Sequence, residues 1–235
     1  MAENEVGRVA ELWRYPVKSM AGEPLHEADV SWFGLAGDRR WAFIRPGIVE
    51  SGFPWLTIRE RSDLCRYRPR FRDPSQPDTS ATVVTTPGGE ELDVTDAALA
   101  AELGDGLQLI RQYRGAFDAL PLSLMGTGSV RAIGEVAGRE LPVQRFRPNL
   151  VVEPADGAPF AEDGWIGSTL RIGGMRMRVD DRDPRCVVVN VDPETTERDP
   201  AVLRAIAQTR DSCLGVYGST VEPGRVAVGD AVVLE

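Results

Sequence analysis

The sequence predicts an α+β fold that is mostly β, with barrel-like sheets and a few short helices. Three observations predict it. Short runs of β-forming residues recur along the chain, separated by Pro-Gly, Gly-Gly and Gly-Asp turns. The helix signals are few and short. Strands do not alternate regularly with helices, which argues against a doubly wound parallel sheet.

The elements follow in order. Gly7 to Tyr15 alternates and is rich in β formers, so it reads as a strand, and Pro16 to Gly22 as a turn. Leu25 to Phe33 reads as a second strand and Arg40 to Ile44 as a third, closed by Pro46-Gly47. Asp73 to Asp78 reads as a mobile loop. Thr82–Thr85 and Glu91–Val94 flank Pro87-Gly88-Gly89, a hairpin signal. Thr95-Asp96 caps a short Ala/Leu helix ending at Gly104, and Leu107–Tyr113 returns to strand. Ser129 to Val136 predicts a helix stopped at Gly138, and Asn149–Val152 a strand. Thr169–Ile172 and Met175–Val179 flank Gly173-Gly174 as another hairpin. Cys186–Val191 is a short apolar run expected to be a buried strand. Asp199 with Pro200 opens a helix running to about Arg210. Val226–Val228 and Ala231–Leu234 are expected to pair as a hairpin around Gly229-Asp230. The pattern loosens between Arg114 and Leu122, which sets a division into 1–115 and 116–235.

Composition removes whole function classes. The 235 residues carry 27 Lys+Arg against 36 Asp+Glu, a net charge of −9, which disfavours a nucleic-acid partner. No apolar run is long enough to span a bilayer, so no membrane partner is expected. The start, Met1-Ala2-Glu3-Asn4-Glu5, lacks an apolar signal region. Three cysteines, Cys65, Cys186 and Cys213, do not make a disulfide framework and fit a reducing, cytoplasmic compartment. The single histidine, His26, sits in surface-like alternation and reads as a solvated strand residue. One imidazole excludes multi-His zinc sites and H-E-x-x-H proteases within one chain. There is no Walker A loop, G-x-G-x-x-G turn or G-x-S-x-G elbow.

Two groups of residues remain for chemistry. Cys186, beside Arg185 in Asp181–Cys186, is placed either as a reactive thiolate that suits a soft metal or as a buried structural cysteine. Cations recur beside turns: Lys18-Ser19, Arg39-Arg40 and Arg145 to Asn149. Such groups hold phosphate, or they are ordinary surface charges. Asp192-Pro193 either ends a strand or orients the loop carrying Cys186. The charged run Asp181-Arg182-Asp183 reads as a gate for substrate or partner.

The motifs then reach a family. Residues 12–22 (LWRYPVKSMAG) with 37–41 (GDRRW), 146–152 (FRPNLVV), and 185–193 (RCVVVNVDP) with 214–217 (LGVY) and 222–230 (EPGRVAVGD) occur in one order over nearly the whole chain. Together they resemble the MOSC family, in particular the branch with the mitochondrial amidoxime-reducing components and bacterial relatives. The resemblance implies a MOSC N-terminal β-barrel domain followed by a MOSC domain. It implies a molybdenum pterin cofactor with Cys186 as its metal ligand and catalytic residue. By the same resemblance Lys18, Ser19, Arg39, Arg147, Asn149, Arg185 and Tyr217 hold that cofactor. The implied activity is reduction of N-hydroxylated small molecules, with electrons from a separate donor protein, since three cysteines cannot ligate a Cys₄ cluster. The alternatives are a non-catalytic carrier of the cofactor or its sulfur, and a small-molecule binder that has lost the metal. Pro184 stands where relatives carry a small polar residue, and Ala119-Leu120 ahead of Pro121 where they carry Thr or Ser, so fewer hydroxyls are expected around the cofactor.

Overall fold

The computed structural model describes residues 4–47 and 52–235; the first three residues of the acidic start lie outside them. The strands are β1 (Glu5–Arg14), β2 (Glu23–Leu25), β3 (Glu27–Ser31), β4 (Gly34–Leu35), β5 (Trp41–Ile44), β6 (Arg68–Phe71), β7 (Thr82–Thr85) and β8 (Glu91–Asp93). They continue with β9 (Gln108–Arg111), β10 (Leu122–Gly126), β11 (Leu150–Pro154), β12 (Thr169–Ile172), β13 (Met175–Pro184), β14 (Cys213–Glu222), β15 (Gly224–Ala227) and β16 (Ala231–Leu234). The helices are α1 (Ala97–Leu103), α2 (Thr127–Ala137) and α3 (Pro200–Arg210). No helix among the described residues is long and apolar enough to cross a membrane.

Seven strands close a barrel, in the order β11-β10-β14-β13-β12-β16-β1 and back to β11. Closure leaves few unpaired backbone edges. The register of β1 on β11, from Gly7 opposite Pro154 to Leu12 opposite Leu150, turns Val9 and Leu12 inward. Gly7 is required there, because a Cβ would lie 2.5 Å from the Glu153 carbonyl oxygen. The interior is packed with Val, Leu, Ile and Met from every strand, including Leu124, Leu150, Ile172, Met177 and Val216. β10 is buried along its whole length because α2 and α3 cover its outer side with Ile133, Val202 and Ile206. A second core, with Phe43, Leu56, Leu64, Tyr67 and Leu99, is walled by the β5–β9 pair, the β6-β7-β8 sheet and α1.

Several sequence expectations change. β1 lies in the first part of the chain and closes the barrel whose other strands come from the second. Leu25–Phe33 splits into β2, which joins β1, and β3, which joins β15. The last two strands do not pair with each other. β15 goes to β3 while β16 goes to β1 and β12, because Gly229 sends its amide to Val9 and turns the chain between two sheets. β10 and β11 are parallel, and α2 is the crossover a parallel pair requires. Cys186–Val191 is not a strand: Val187–Asn190 forms a 3₁₀ turn. Its valines are apolar because Val189 enters the core under the helices while Val188 and Val191 join the second core.

The helix limits follow capping chemistry. Asp96 accepts from the Ala98 amide at 2.8 Å to start α1, and Gly138 ends α2 in the left-handed region. Asp199 accepts from the Ala201 amide at 2.9 Å and pairs with Arg139 at 2.9 Å. Asp199→Ala is expected to lower unfolding free energy by about 1 kcal/mol, the usual worth of such a cap. Urea denaturation measures it; an unchanged midpoint would show that Pro200 alone suffices to start α3.

Candidate functional site

One end of the barrel meets the second core around a cavity of about 240 Å³. The turn after β1 contributes Lys18 and Ser19, and the turn before β5 contributes Arg39. Arg147 and Asn149 come from the approach to β11. The end of β13 and the residues after it bring Asp183 to Cys186, and β14 brings Tyr217. All eight residues singled out in the sequence, Lys18, Ser19, Arg39, Arg147, Asn149, Arg185, Cys186 and Tyr217, therefore line one space.

The backbone around it is unusual. Ser19, Arg39 and Arg147 have φ of 67°, 49° and 57°, in the left-handed region that non-glycine residues avoid. Such conformations persist only where surrounding contacts over-determine them, and they gather at functional sites. The contacts here centre on Asp38, whose side chain is 0% exposed. Its carboxylate accepts from the Tyr15 amide at 2.7 Å, from Asn149 Nδ2 at 3.1 Å and from the Arg39 guanidinium. Arg39 Nη2 then donates to the Arg147 carbonyl at 3.1 Å, and Arg147 Nη1 to the Met20 carbonyl at 2.6 Å. The buried Tyr15 ring packs against both guanidinium groups, at 4.8 and 4.2 Å. Three separate turns are thereby locked together.

Some of these side chains are spent on the protein and others are not. Asn149 also accepts from the Ser123 amide at 3.2 Å and donates to the Trp13 carbonyl at 3.2 Å, so it fastens β1 to β10. Arg185 donates to the carbonyls of Leu214 and Phe146 and pairs with Asp183 at 2.7 Å. Asp183 also accepts from Ser123 and Tyr217. Burial and this carboxylate push the Tyr217 phenol well above its usual range. Lys18 Nζ is held by the Ala116 carbonyl at 2.7 Å and Asp118 at 2.5 Å. Burial lowers the Lys18 pKa, with Asp118 opposing. In contrast, Arg147 Nη2, Arg145 Nε and Thr57 Oγ1 are buried without a hydrogen-bond partner. Burial lowers Arg147 to about 10, still protonated at neutral pH.

Cys186 is half-buried and opens the 3₁₀ turn. Its Sγ accepts from Arg59 Nη2 at 3.4 Å, and the bond to sulfur raises the Arg59 pKa. Arg59 rests on the Phe53 ring at 5.0 Å. Arg59 was not legible in the sequence, nor were Thr57, Asp118 and Ser123. Thr57 and Arg59 come from a segment without strand or helix periodicity, and Asp118 from the loose stretch before β10. Ser19, Thr57 and Ser123 bring hydroxyls to the cavity despite Pro184, Ala119 and Leu120, all of which line it.

The three residues of the charged run before Cys186 have different surroundings. Register shifts on both sides of Asp181-Arg182 break the alternation of β13, so Asp183, 2% exposed, is buried while Asp181 faces solvent and Arg182 turns to Asp163 and the Arg210 carbonyl. Asp192 ends no strand, since a 3₁₀ turn precedes it, and it braces the loop that carries Cys186. It accepts the Glu194 and Thr195 amides to form a turn, and it pairs with Arg145 at 2.8 Å, whose Nη1 donates to the Val189 carbonyl in the Cys186 loop. His26 is exposed. Among the described residues, no three His, Cys, Asp or Glu side chains cluster as metal ligands.

Residues 112–233 match the MOSC domain family and residues 6–119 match the MOSC N-terminal beta barrel domain. Mitochondrial amidoxime reducing component 2 of Homo sapiens is 25% identical, over 97% of this chain and 83% of its own length. Mitochondrial amidoxime-reducing component 1 of Homo sapiens is 24% identical, over 98% and 83%. Molybdenum cofactor sulfurase of Drosophila grimshawi is 29% identical over 89% of this chain, which spans 32% of that relative's length. Among solved structures, the YUAD protein from Bacillus subtilis superposes with a TM-score of 0.54 at 13% identity, covering 97% of this chain and 95% of its own. That likeness shows the fold.

Proposed function

This chain belongs to the MOSC family, and on that footing we propose that it is a molybdenum-cofactor-dependent oxidoreductase acting on N-hydroxylated small molecules. One observation carries the reading. The single thiol of the cavity, Cys186, sits among six cationic side chains, Lys18, Arg39, Arg59, Arg145, Arg147 and Arg185, against two carboxylates, Asp118 and Asp183. In a chain of net charge −9 that is a site for an anion with a soft centre. A molybdenum pterin cofactor fits: it brings its own sulfur donors and a phosphate, so it needs one more thiolate and several cations rather than a three-residue metal cluster. The unpartnered Arg147 Nη2, Arg145 Nε and Thr57 Oγ1 are the polar atoms such a ligand would satisfy. The names of the relatives, amidoxime reducing component and molybdenum cofactor sulfurase, point the same way.

Cys186 Sγ would ligate the metal, with Arg59 neutralising charge on the sulfur. Lys18, Ser19, Arg39 and Arg147 would hold the anionic end. Asn149, Arg185 and Tyr217 act mainly by holding β1, β10, β13 and β14 in place around it. When bound, the cofactor supplies two-electron chemistry at the N–O bond, releasing the oxygen as water. Electrons come from a separate donor protein. Three cysteines without a disulfide support the reading of a reducing compartment such as the cytoplasm.

Protein made in a host that synthesises the cofactor is expected to carry about one molybdenum per chain by elemental analysis. With a chemical reductant it is expected to reduce a hydroxylamine or an amidoxime. Folded protein without molybdenum would sink the cofactor reading. Molybdenum without turnover, together with stoichiometric transfer to an apo-enzyme, would make the protein a carrier instead.

A further inference from the structure

A second and larger cavity, about 800 Å³, adjoins the first. The two share Ile58, Arg145, Arg147 and Val188, so the arginine pair belongs to a common wall. The rest of the second cavity is built from other parts of the fold. These are the end of β1, the start of β6, the β7–β8 turn and the segment after the Val187–Asn190 turn. None of the eight expected residues other than Arg147 lines it.

Three features mark it as a binding site. The first is charge. Arg66, Arg68, Arg145 and Arg147 line it against one carboxylate, Glu194, although acidic residues outnumber basic ones in the chain. Arg66 and Arg68 are exposed and make no ion pair among the described residues. The second is unmet hydrogen bonding. Tyr15 OH is buried without a partner, and Tyr15 lines this cavity and not the first. Buried polar atoms ordinarily have partners, so a fully buried hydroxyl beside this cavity points to a ligand that supplies one. The third is shape. Trp13, Pro24, Pro87 and Pro142 give flat apolar faces, and Thr85 and Thr86 add polar edges. The volume is that of a small-molecule site.

We propose that this cavity binds a planar organic anion, a ring carrying a phosphate or a carboxylate, with the acid on the arginines and the ring against Trp13 and the prolines. The site is separate from the cofactor cavity and does not depend on metal. Calorimetric titration of the full chain tests it, with adenosine 5′-monophosphate, 2-naphthoate, adenosine and inorganic phosphate as probes. At least one of the first two is expected to bind, with adenosine and inorganic phosphate each at least about tenfold weaker, since each lacks half of the recognised chemistry. Preference for the phosphate or the carboxylate probe identifies which acid the site takes. The double variant Arg66→Ala, Arg68→Ala is expected to weaken binding at least about tenfold while its molybdenum content stays unchanged. Both positions are exposed, and thermal melting checks that the variant folds; the single Arg68→Gln replaces it if it does not. Cys186→Ala is expected to leave probe binding unchanged, which separates this site from the metal assignment. Absence of binding by both ring-bearing acids overturns the proposal. So does equal binding in the folded arginine variant, or loss of binding in Cys186→Ala.

Discussion

Cys186→Ala is expected to take molybdenum from about one atom per chain to background and to lower N-hydroxy reduction at least about 100-fold, beyond what loss of an outer-shell partner does. The fold should not notice. The thiol is half-buried and its side-chain partner is the Arg59 guanidinium, so unfolding free energy should move by less than about 0.5 kcal/mol. Elemental analysis and urea denaturation of the same sample separate the two effects. A variant that keeps its metal would show that Cys186 is not the ligand, and the cation ring alone would then have to explain binding.

The largest effect on stability is expected at Asp38. Its carboxylate is fully enclosed and answers three donors from three segments, the Tyr15 amide, Asn149 and Arg39. Asp38→Ala leaves the buried Arg39 charge unpaired and the Tyr15 amide unanswered. Breaking a buried pair in this way costs about 3–5 kcal/mol, against a total stability of order 5–15 kcal/mol. The urea midpoint should fall accordingly, and cofactor retention should fall with it, because Arg39 and Arg147 take their strained backbone from this junction. A loss under about 1 kcal/mol would mean that the aromatic stack on Tyr15 holds the turns without the carboxylate. Exposed pairs such as Arg225–Glu27 are screened by water and should not rival it.

What was legible in the sequence depended on how local the cause was. Asp96, Gly104, Gly138 and Asp199 act within one turn of their own position, and the helices they bound stand where expected. The β7–β8 hairpin is equally local. The Cys186–Val191 run misled because a run of valines records burial and not what does the burying: here two cores, on two sides of a 3₁₀ turn. The supposed final hairpin failed because pairing is decided by partners far away in the chain, β3 and β1. The site shows the same divide. Motif likeness brought out Lys18, Arg39, Arg147, Asn149 and Cys186, and they share one cavity. Arg59 and Thr57 carry no pattern of their own; only the packing of Leu56 and Ile58 into the second core brings them to the cavity, Arg59 against the thiol.

The seam of the barrel has a consequence for how the protein is made. Among the barrel's own strands β1 is made first and β16 last, and β1 is hydrogen-bonded to β11 on one side and, in part, to β16 on the other. Contacts of such high sequence separation form late, after the chain has paid out most of its loop-closure entropy. Until β16 emerges, one flank of β1 lacks its neighbour, and such raw edges recruit other chains. Translation therefore outlasts the period in which β1 could shelter itself, and the barrel's closing stitch joins its earliest and latest synthesised strands.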